Sequence, residues 1–153
     1  MTAGIVGLGL IGGSLAKAYH EAGERVLAHD IDRDVLSFAV ISGAVDEALT
    51  DETMAECDVI LLAVRPAAAV EWLKNHAAKI DKHTVVIDCC GTKRKVCAAC
   101  FPIAEQYGIT YLAVTQWRAR SSRASSTPRR TSSWARRWCS CRRALTTLNY
   151  SAM

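Results

Sequence analysis

The sequence predicts an α/β domain built on an open, doubly wound parallel sheet in residues 1–112, followed by a tail of different character. Short apolar runs of strand length alternate with stretches in which apolar residues recur every three or four positions, as in amphipathic helices. The run Val59–Val64 is apolar throughout, which is typical of a parallel strand covered by helices on both faces. The 153 residues suffice for one such domain with its own core, but not for two of full size.

Five strands and four helices alternate in this prediction. Each strand is a short run of mostly apolar or β-branched residues bounded by glycine, proline or charged residues. The predicted strands are Ala3–Val6, Arg25–His29, Val59–Val64, Val85–Asp88 and Ile109–Leu112.

The helices have recognisable start and stop signals. The first should end at Gly23, where a positive φ is needed, and Asp32 can cap a second helix that extends through Ser42. Pro66 suits the first turn of the third helix, and the fourth should span Lys93–Tyr107 with a kink at Pro102. The residues of the second helix expected to face the core are Val35, Leu36, Ala39 and Val40.

A glycine-rich run (GLGLIGG) leaves the first strand and opens the first helix. Gly7 allows a tight turn, Gly9 removes the side chain where a pyrophosphate must approach the backbone, and Gly12 lets helix and strand pack closely. The amides of Leu10 and Ile11 then face the pyrophosphate from the positive end of the helix. In this context, the G-x-G-x-x-G pattern predicts a Rossmann-like dinucleotide-binding fold.

An acidic residue stands where the adenosine ribose of a dinucleotide would lie. Asp30 follows the second strand, 18 residues beyond Gly12, and can accept hydrogen bonds from both ribose hydroxyls. Its charge would repel a 2′-phosphate, which favours NAD over NADP. Arg33 is close enough in sequence to attract that phosphate, so NADP stays the alternative cofactor. The alternative is a glycine turn that holds no ligand, with Asp30 as a simple cap.

Three stretches resemble one enzyme family. The run Gly7–Ala16 (GLGLIGGSLA) resembles the opening of the prephenate dehydrogenases of tyrosine biosynthesis. Ala63–Pro66 is similar to the family's loop over the cofactor, and Asp88–Lys93 to its D-x-x-[SG]-x-K stretch beside nicotinamide and substrate. The resemblance implies cofactor contacts at Val64, Arg65, Pro66 and Cys90, and substrate contacts at Gly91, Thr92 and Lys93.

The resemblance also implies a reaction, the NAD-dependent oxidative decarboxylation of prephenate to 4-hydroxyphenylpyruvate. In that family a His polarises the ring hydroxyl, and it follows the fifth strand in a run like G-G-H-P-M-A-G. Here Leu112 is followed by AVTQWR, and every His lies at or before position 83, so no catalytic residue is assigned. An arogenate-preferring or other β-hydroxyacid-type dehydrogenase is the alternative, because substrate choice lies beyond residue 112.

The charge distribution separates the tail from the domain. Residues 1–112 hold 10 Lys/Arg against 15 Asp/Glu, whereas residues 113–153 hold nine Arg, three Trp and no acid. One interpretation is a disordered basic tail, and a second is a nucleic-acid-binding arm on a non-enzymatic NAD-binding module. A third interpretation is that the tail is read out of frame.

The genetic code allows a check of the third interpretation. One G restored before the codon of Ala113 regroups the next codons so that they can encode G-G-H-P-M-A, the missing family run. The regrouped stretch Arg130–Trp138 can likewise resemble the family's continuation. We therefore expect an out-of-frame tail, no nucleic-acid partner, and a chain that lacks the helical C-terminal domain through which full-length members form homodimers.

The remaining composition predicts a cytoplasmic protein. No apolar run reaches the ~18 residues of a membrane helix, and no secretory signal is visible. Seven cysteines at odd spacings, with no signal sequence, indicate reduced thiols rather than a disulfide framework. The pair Cys97 and Cys100 is expected to pack as small hydrophobes, so no metal site is predicted.

Overall fold

The computed structural model describes residues 1–114, and these residues form one six-stranded parallel sheet in the order β3-β2-β1-β4-β5-β6. The predicted doubly wound α/β fold is confirmed. All of the predicted tail except its first two residues lies outside the described residues, as do the interpretations that depend on it. The strands are β1 (Thr2–Val6), β2 (Arg25–His29), β3 (Glu47–Ala48), β4 (Val59–Leu62), β5 (Val85–Asp88) and β6 (Thr110–Ala113).

The helices begin and end close to the predicted signals. Asp32 caps the second helix by accepting from the amides of Asp34 and Val35 at 3.0 and 3.3 Å. Pro66 occupies the first turn of the third helix. Gly23, with a φ of 76°, lies just beyond the end of the first helix. The helices are α1 (Leu10–Glu21), α2 (Arg33–Ile41), α3 (Pro66–His76) and α4 (Arg94–Tyr107).

Helices cover both faces of the sheet. Successive strand residues point to opposite sides, so each strand contributes side chains to two cores. Helices α3 and α4 cover one face through residues such as Leu73 and Val96, and α1 and α2 cover the other through Leu15 and Leu36. The strand residues on the α3–α4 face include Val6, Leu27, Ile60, Leu62 and Val86; those on the α1–α2 face include Ile5, Val26, Ala28, Leu61 and Ile87.

Two details of the prediction were wrong at the β3 edge of the sheet. The strand β3 was not expected, and it pairs only with Leu27 and Ala28 of β2. Helix α2 contacts the core through the partly buried Leu36 and Ala39, whereas Val35 and Val40 are each 38% exposed. Because the two-residue β3 provides little sheet surface, only a narrow stripe of α2 is covered.

Helix α4 is continuous from Arg94 to Tyr107, with Pro102 in its interior. The missing amide of Pro102 leaves the carbonyl of Ala98 without its helical partner, and both residues are exposed to solvent. Water can solvate the Ala98 carbonyl, so α4 continues across Pro102 as one helix, and the kink expected there stays a prediction. Among residues 1–114, no helix is both long enough and apolar enough to span a membrane.

Candidate functional site at the carboxyl edge of the sheet

The carboxyl ends of the strands lie together at one edge of the sheet. Their last residues are in register: Val6 pairs with His29 and Leu62, Leu62 with Asp88, and Asp88 with Ala113. The order of strands reverses between β1 and β4, and open α/β sheets bind ligands in the crevice at such a switch point. The segments that leave this edge therefore define the candidate site.

The turn after β1 depends on glycine at two positions. Gly7 has a φ of 91°, and its amide donates to the carbonyl of His29 at 2.7 Å. A Cβ atom added at Gly12 would lie 1.7 Å from the carbonyl oxygen of Gly7, so α1 packs directly on the turn. These contacts agree with the structural roles that the sequence predicted for both glycines.

The start of α1 is open where a ligand would approach. No side chain caps the helix at Gly9, nothing lies within 4 Å of a Cβ added there, and Leu10 is 91% exposed. By contrast, Asp32 fills the same position at α2. The first amides of α1, which include those of Leu10 and Ile11, thus have neither a capping acceptor nor a covering side chain, which suits an anionic group.

Asp30 lies beside the glycine turn, at the β2 side of the switch point. Its Oδ2 accepts from the amide of Leu8 at 2.6 Å, and its Oδ1 accepts from the amide of Asp32 at 2.9 Å. Each carboxylate oxygen has a further lone pair that can accept from a ribose hydroxyl. Asp30 therefore holds the turn in addition to the role that the sequence predicts for it.

The loop after β4 contacts the glycine turn from the opposite side. Val64 is partly buried, and its Cγ1 would lie 2.5 Å from a Cβ atom added at Gly7. Arg65 is exposed and precedes Pro66, the first residue of α3. The three residues predicted to cover the cofactor thus lie at the same edge as Gly7.

The loop after β5 is held by a buried carboxylate. Asp88 is 0% exposed; its Oδ1 accepts from the amide of Cys90 and its Oδ2 from Nζ of Lys93, each at 2.7 Å. The thiol of Cys90 donates to the carbonyl of Val64 at 3.2 Å, which joins this loop to the one after β4. Gly91 and Thr92 are exposed at the tip of the loop.

Burial keeps the thiols near the site protonated. Desolvation raises the pKa of Cys89 to about 11 and that of Cys90 to about 12, and the Asp88 carboxylate adds to both shifts. Both residues are therefore neutral hydrogen-bonding or packing groups rather than nucleophiles. Within residues 1–114, no three metal-ligating side chains come together, and Cys100 packs in the core from the buried face of α4.

Two features of the site were not predicted from the sequence. The Asp88–Lys93 ion pair was not expected, although the D-x-x-x-x-K spacing of the loop is a signal that could have suggested it. The Cys90–Val64 contact joins residues 26 positions apart, so no local pattern could have revealed it. The other predicted residues lie in or beside the segments that leave the carboxyl edge of the sheet, and their contacts with a ligand stay predictions.

Fold and site together define a Rossmann-type domain suited to a dinucleotide. Residues 2–91 match the model of a family described as NADP oxidoreductase, coenzyme F420-dependent. The match covers more than half of the chain, and the chain belongs to this family. The matched residues form the Rossmann-type NAD(P)-binding domain of this oxidoreductase family.

Solved structures of several oxidoreductases share the fold. The chain is similar to prephenate dehydrogenase from A. aeolicus in complex with hydroxyphenyl propionate and NAD+ (20% identity, TM-score 0.68, 93% of this chain and 55% of that one). It is also similar to Mycobacterium tuberculosis 3-hydroxyisobutyrate dehydrogenase with L-serine (22% identity, TM-score 0.68, 74% of this chain and 40% of that one). A third similar structure is that of Streptomyces aurantiacus imine reductase (21% identity, TM-score 0.63, 74% of this chain and 40% of that one). The chain thus spans 40–55% of the length of these proteins.

Proposed function

We propose that this chain provides the NAD-binding half of a prephenate dehydrogenase-type enzyme, which oxidatively decarboxylates prephenate to 4-hydroxyphenylpyruvate. The observation that carries the cofactor part is the uncapped, uncovered start of α1 at Gly9, with the Asp30 carboxylate beside it. The pyrophosphate would lie against the amides of Leu10 and Ile11, and the adenosine ribose against Asp30. When bound, NAD+ supplies the hydride acceptor.

The prephenate part of the proposal is supported by sequence resemblance. The GLGLIGGSLA run and the Asp88–Lys93 stretch both resemble the prephenate dehydrogenases, and the loops that carry them lie at one edge of the sheet. An A. aeolicus enzyme of that name shares the fold. Cytoplasmic location is proposed on the composition, and assembly of the full-length enzyme into homodimers on the same resemblance.

The described residues bind and orient rather than transfer protons. Of the four His residues, His29 alone ends a strand at the carboxyl edge, and its carbonyl holds Gly7. His20 and His76 lie in the last turns of α1 and α3, and His83 precedes β5, all toward the opposite edge. The domain therefore presents the cofactor without a histidine placed to polarise a ring hydroxyl.

Replacing Asp30 by asparagine tests the cofactor part of the proposal. Asp30→Asn keeps an oxygen that can accept from the Leu8 amide but removes the charge. We expect affinity for NAD+ to fall about tenfold, because a hydrogen bond to a charged group contributes about 1.5 kcal/mol or more. Affinity for NADP+ should not fall, since repulsion of its 2′-phosphate is relieved; calorimetric titration measures both.

Asp34→Asn is the matched control. Asp34 lies in the first turn of α2, is exposed, and its substitution changes the net charge equally. It should leave both affinities unchanged. Equal NAD+ and NADP+ binding by the parent, or an Asp30→Asn variant with unaltered preference, would contradict the assignment of Asp30 to the ribose.

A further inference from the structure

The ion pair between Asp88 and Lys93 closes the loop after β5. Lys93 Nζ donates both to Asp88 Oδ2 and to the Asp88 main-chain carbonyl, each at 2.7 Å. The Asp88 side chain is 0% exposed and that of Lys93 is 18% exposed. Two of the three ammonium donors are thus engaged by one residue, and the positive charge of Lys93 is already paired.

This pairing bears on the role of Lys93. A lysine that receives a substrate carboxylate needs an available positive charge, whereas here the neighbouring carboxylate is buried and depends on the ammonium for compensation. Moving Lys93 toward a substrate would leave Asp88 charged and unpaired in the core. The geometry therefore favours a fixed Lys93 that shapes the loop.

A series of contacts joins the loop after β5 to the glycine turn. Asp88 Oδ1 holds the amide of Cys90, the Cys90 thiol holds the carbonyl of Val64, and Val64 packs against Gly7. Nothing lies within 4 Å of a Cβ added at Gly91, so the tip of the loop is open. The ion pair thus supports an exposed tip that is connected to the β4 loop.

The loop lies on the side of the switch point opposite Asp30. In the sheet order, β5 is two strands from β1 on one side, about 10 Å away, and β2 is next to β1 on the other. A dinucleotide with its adenosine ribose at Asp30 and its pyrophosphate at Gly9 would extend its nicotinamide half toward residues 89–93. This step rests on the proposed function.

We propose that Asp88 and Lys93 are positioning residues, whose ion pair fixes the 89–93 loop that receives the nicotinamide half of the dinucleotide, and that Lys93 does not itself bind substrate. Because the two act as a unit, removing either or both should have the same effect on the ligand. The effect should be confined to ligands that carry nicotinamide.

The test compares NAD+ with ADP-ribose, which lacks nicotinamide, in calorimetric titrations of the full chain. The variants are Asp88→Asn, Lys93→Met and the double variant, and Lys95→Met, which replaces an exposed lysine in the first turn of α4, is the control. We expect the first three to weaken NAD+ binding about tenfold and ADP-ribose binding less than about twofold. The double variant should bind NAD+ no worse than either single variant, and the control should match the parent.

Several outcomes would overturn the inference. Equal losses for NAD+ and ADP-ribose would show a role in stability alone, and additive losses in the double variant would show that Lys93 acts on the ligand directly. Equal affinity of the parent for both ligands would show that the loop does not receive nicotinamide. If a single variant fails to fold because one charge is left buried, the double variant, which removes both charges, still decides the question.

The same titrations separate this inference from the proposed function. A parent that binds neither ligand contradicts dinucleotide binding as a whole, and the positioning role with it. A parent that binds both ligands, with variants that bind NAD+ as the parent does, contradicts the positioning role only.

Discussion

Replacing Gly12 by alanine should abolish dinucleotide binding and destabilise the domain. The added Cβ would lie 1.7 Å from the carbonyl oxygen of Gly7, and the atom it meets is backbone, so α1 must move away from the turn. Overpacking of this kind costs about 1–3 kcal/mol or more in stability. We expect a lower melting temperature by circular dichroism and at least about a 100-fold loss of NAD+ affinity.

Two neighbouring glycines provide matched controls for this prediction. Gly9→Val adds a side chain where nothing lies within 4 Å of the Cβ, so stability should change by less than about 0.5 kcal/mol while NAD+ binding is lost. Gly13→Ala places its Cβ at an ordinary 3.4 Å from the Leu8 carbonyl, within α1, and should keep binding. An alanine at Gly12 that binds NAD+ like the parent would refute the close packing of α1 on the turn.

Restoring one G before the codon of Ala113 in the gene, with translation continuing in the restored frame past codon 153, should produce an enzyme that oxidises prephenate with NAD+. The regrouped codons can encode the G-G-H-P-M-A run of the prephenate dehydrogenases directly after β6, which ends at Ala113 at the same edge as Gly7 and Asp88. General acid–base help from a histidine contributes about 10²–10⁴-fold to rate. The unaltered polypeptide should show no turnover, and NADH absorbance measures both.

The control for the restored frame is the same insertion with the new His codon changed to one for Gln. That product should bind NAD+ as well as the restored chain but oxidise prephenate far more slowly. Arogenate, assayed in parallel, distinguishes the two substrates. A restored chain that folds and binds NAD+ yet oxidises neither would refute the out-of-frame interpretation.

The parts of the fold that the sequence predicted well are set by local interactions. Asp32 caps α2 through amides two and three residues away, Gly23 provides a positive φ, and Pro66 fits a first helical turn. Each of these depends only on neighbouring backbone. The glycine turn could be predicted because its pattern lies within seven consecutive residues, although the His29 carbonyl and the Asp30 carboxylate also hold it.

The parts that it missed depend on distant neighbours. Strand β3 is too short for its two residues to show an alternating pattern, and its existence is decided by pairing with Leu27 and Ala28. The exposure of Val35 and Val40 depends on how much sheet lies beneath α2, which apolar spacing does not report. The burial of Asp88 and its pairing with Lys93 follow from the position of β5 inside the sheet and the path of the loop after it.

Dinucleotide binding at the start of α1 is best tested by a calorimetric titration of NAD+ into the full chain. The uncapped helix start, the bare Gly9 and the adjacent Asp30 predict weak but saturable binding at one site per chain, absent from the Gly9→Val variant. A parent chain that gives no saturable heat, or a Gly9→Val variant that binds NAD+ as tightly as the parent, would contradict binding at this site.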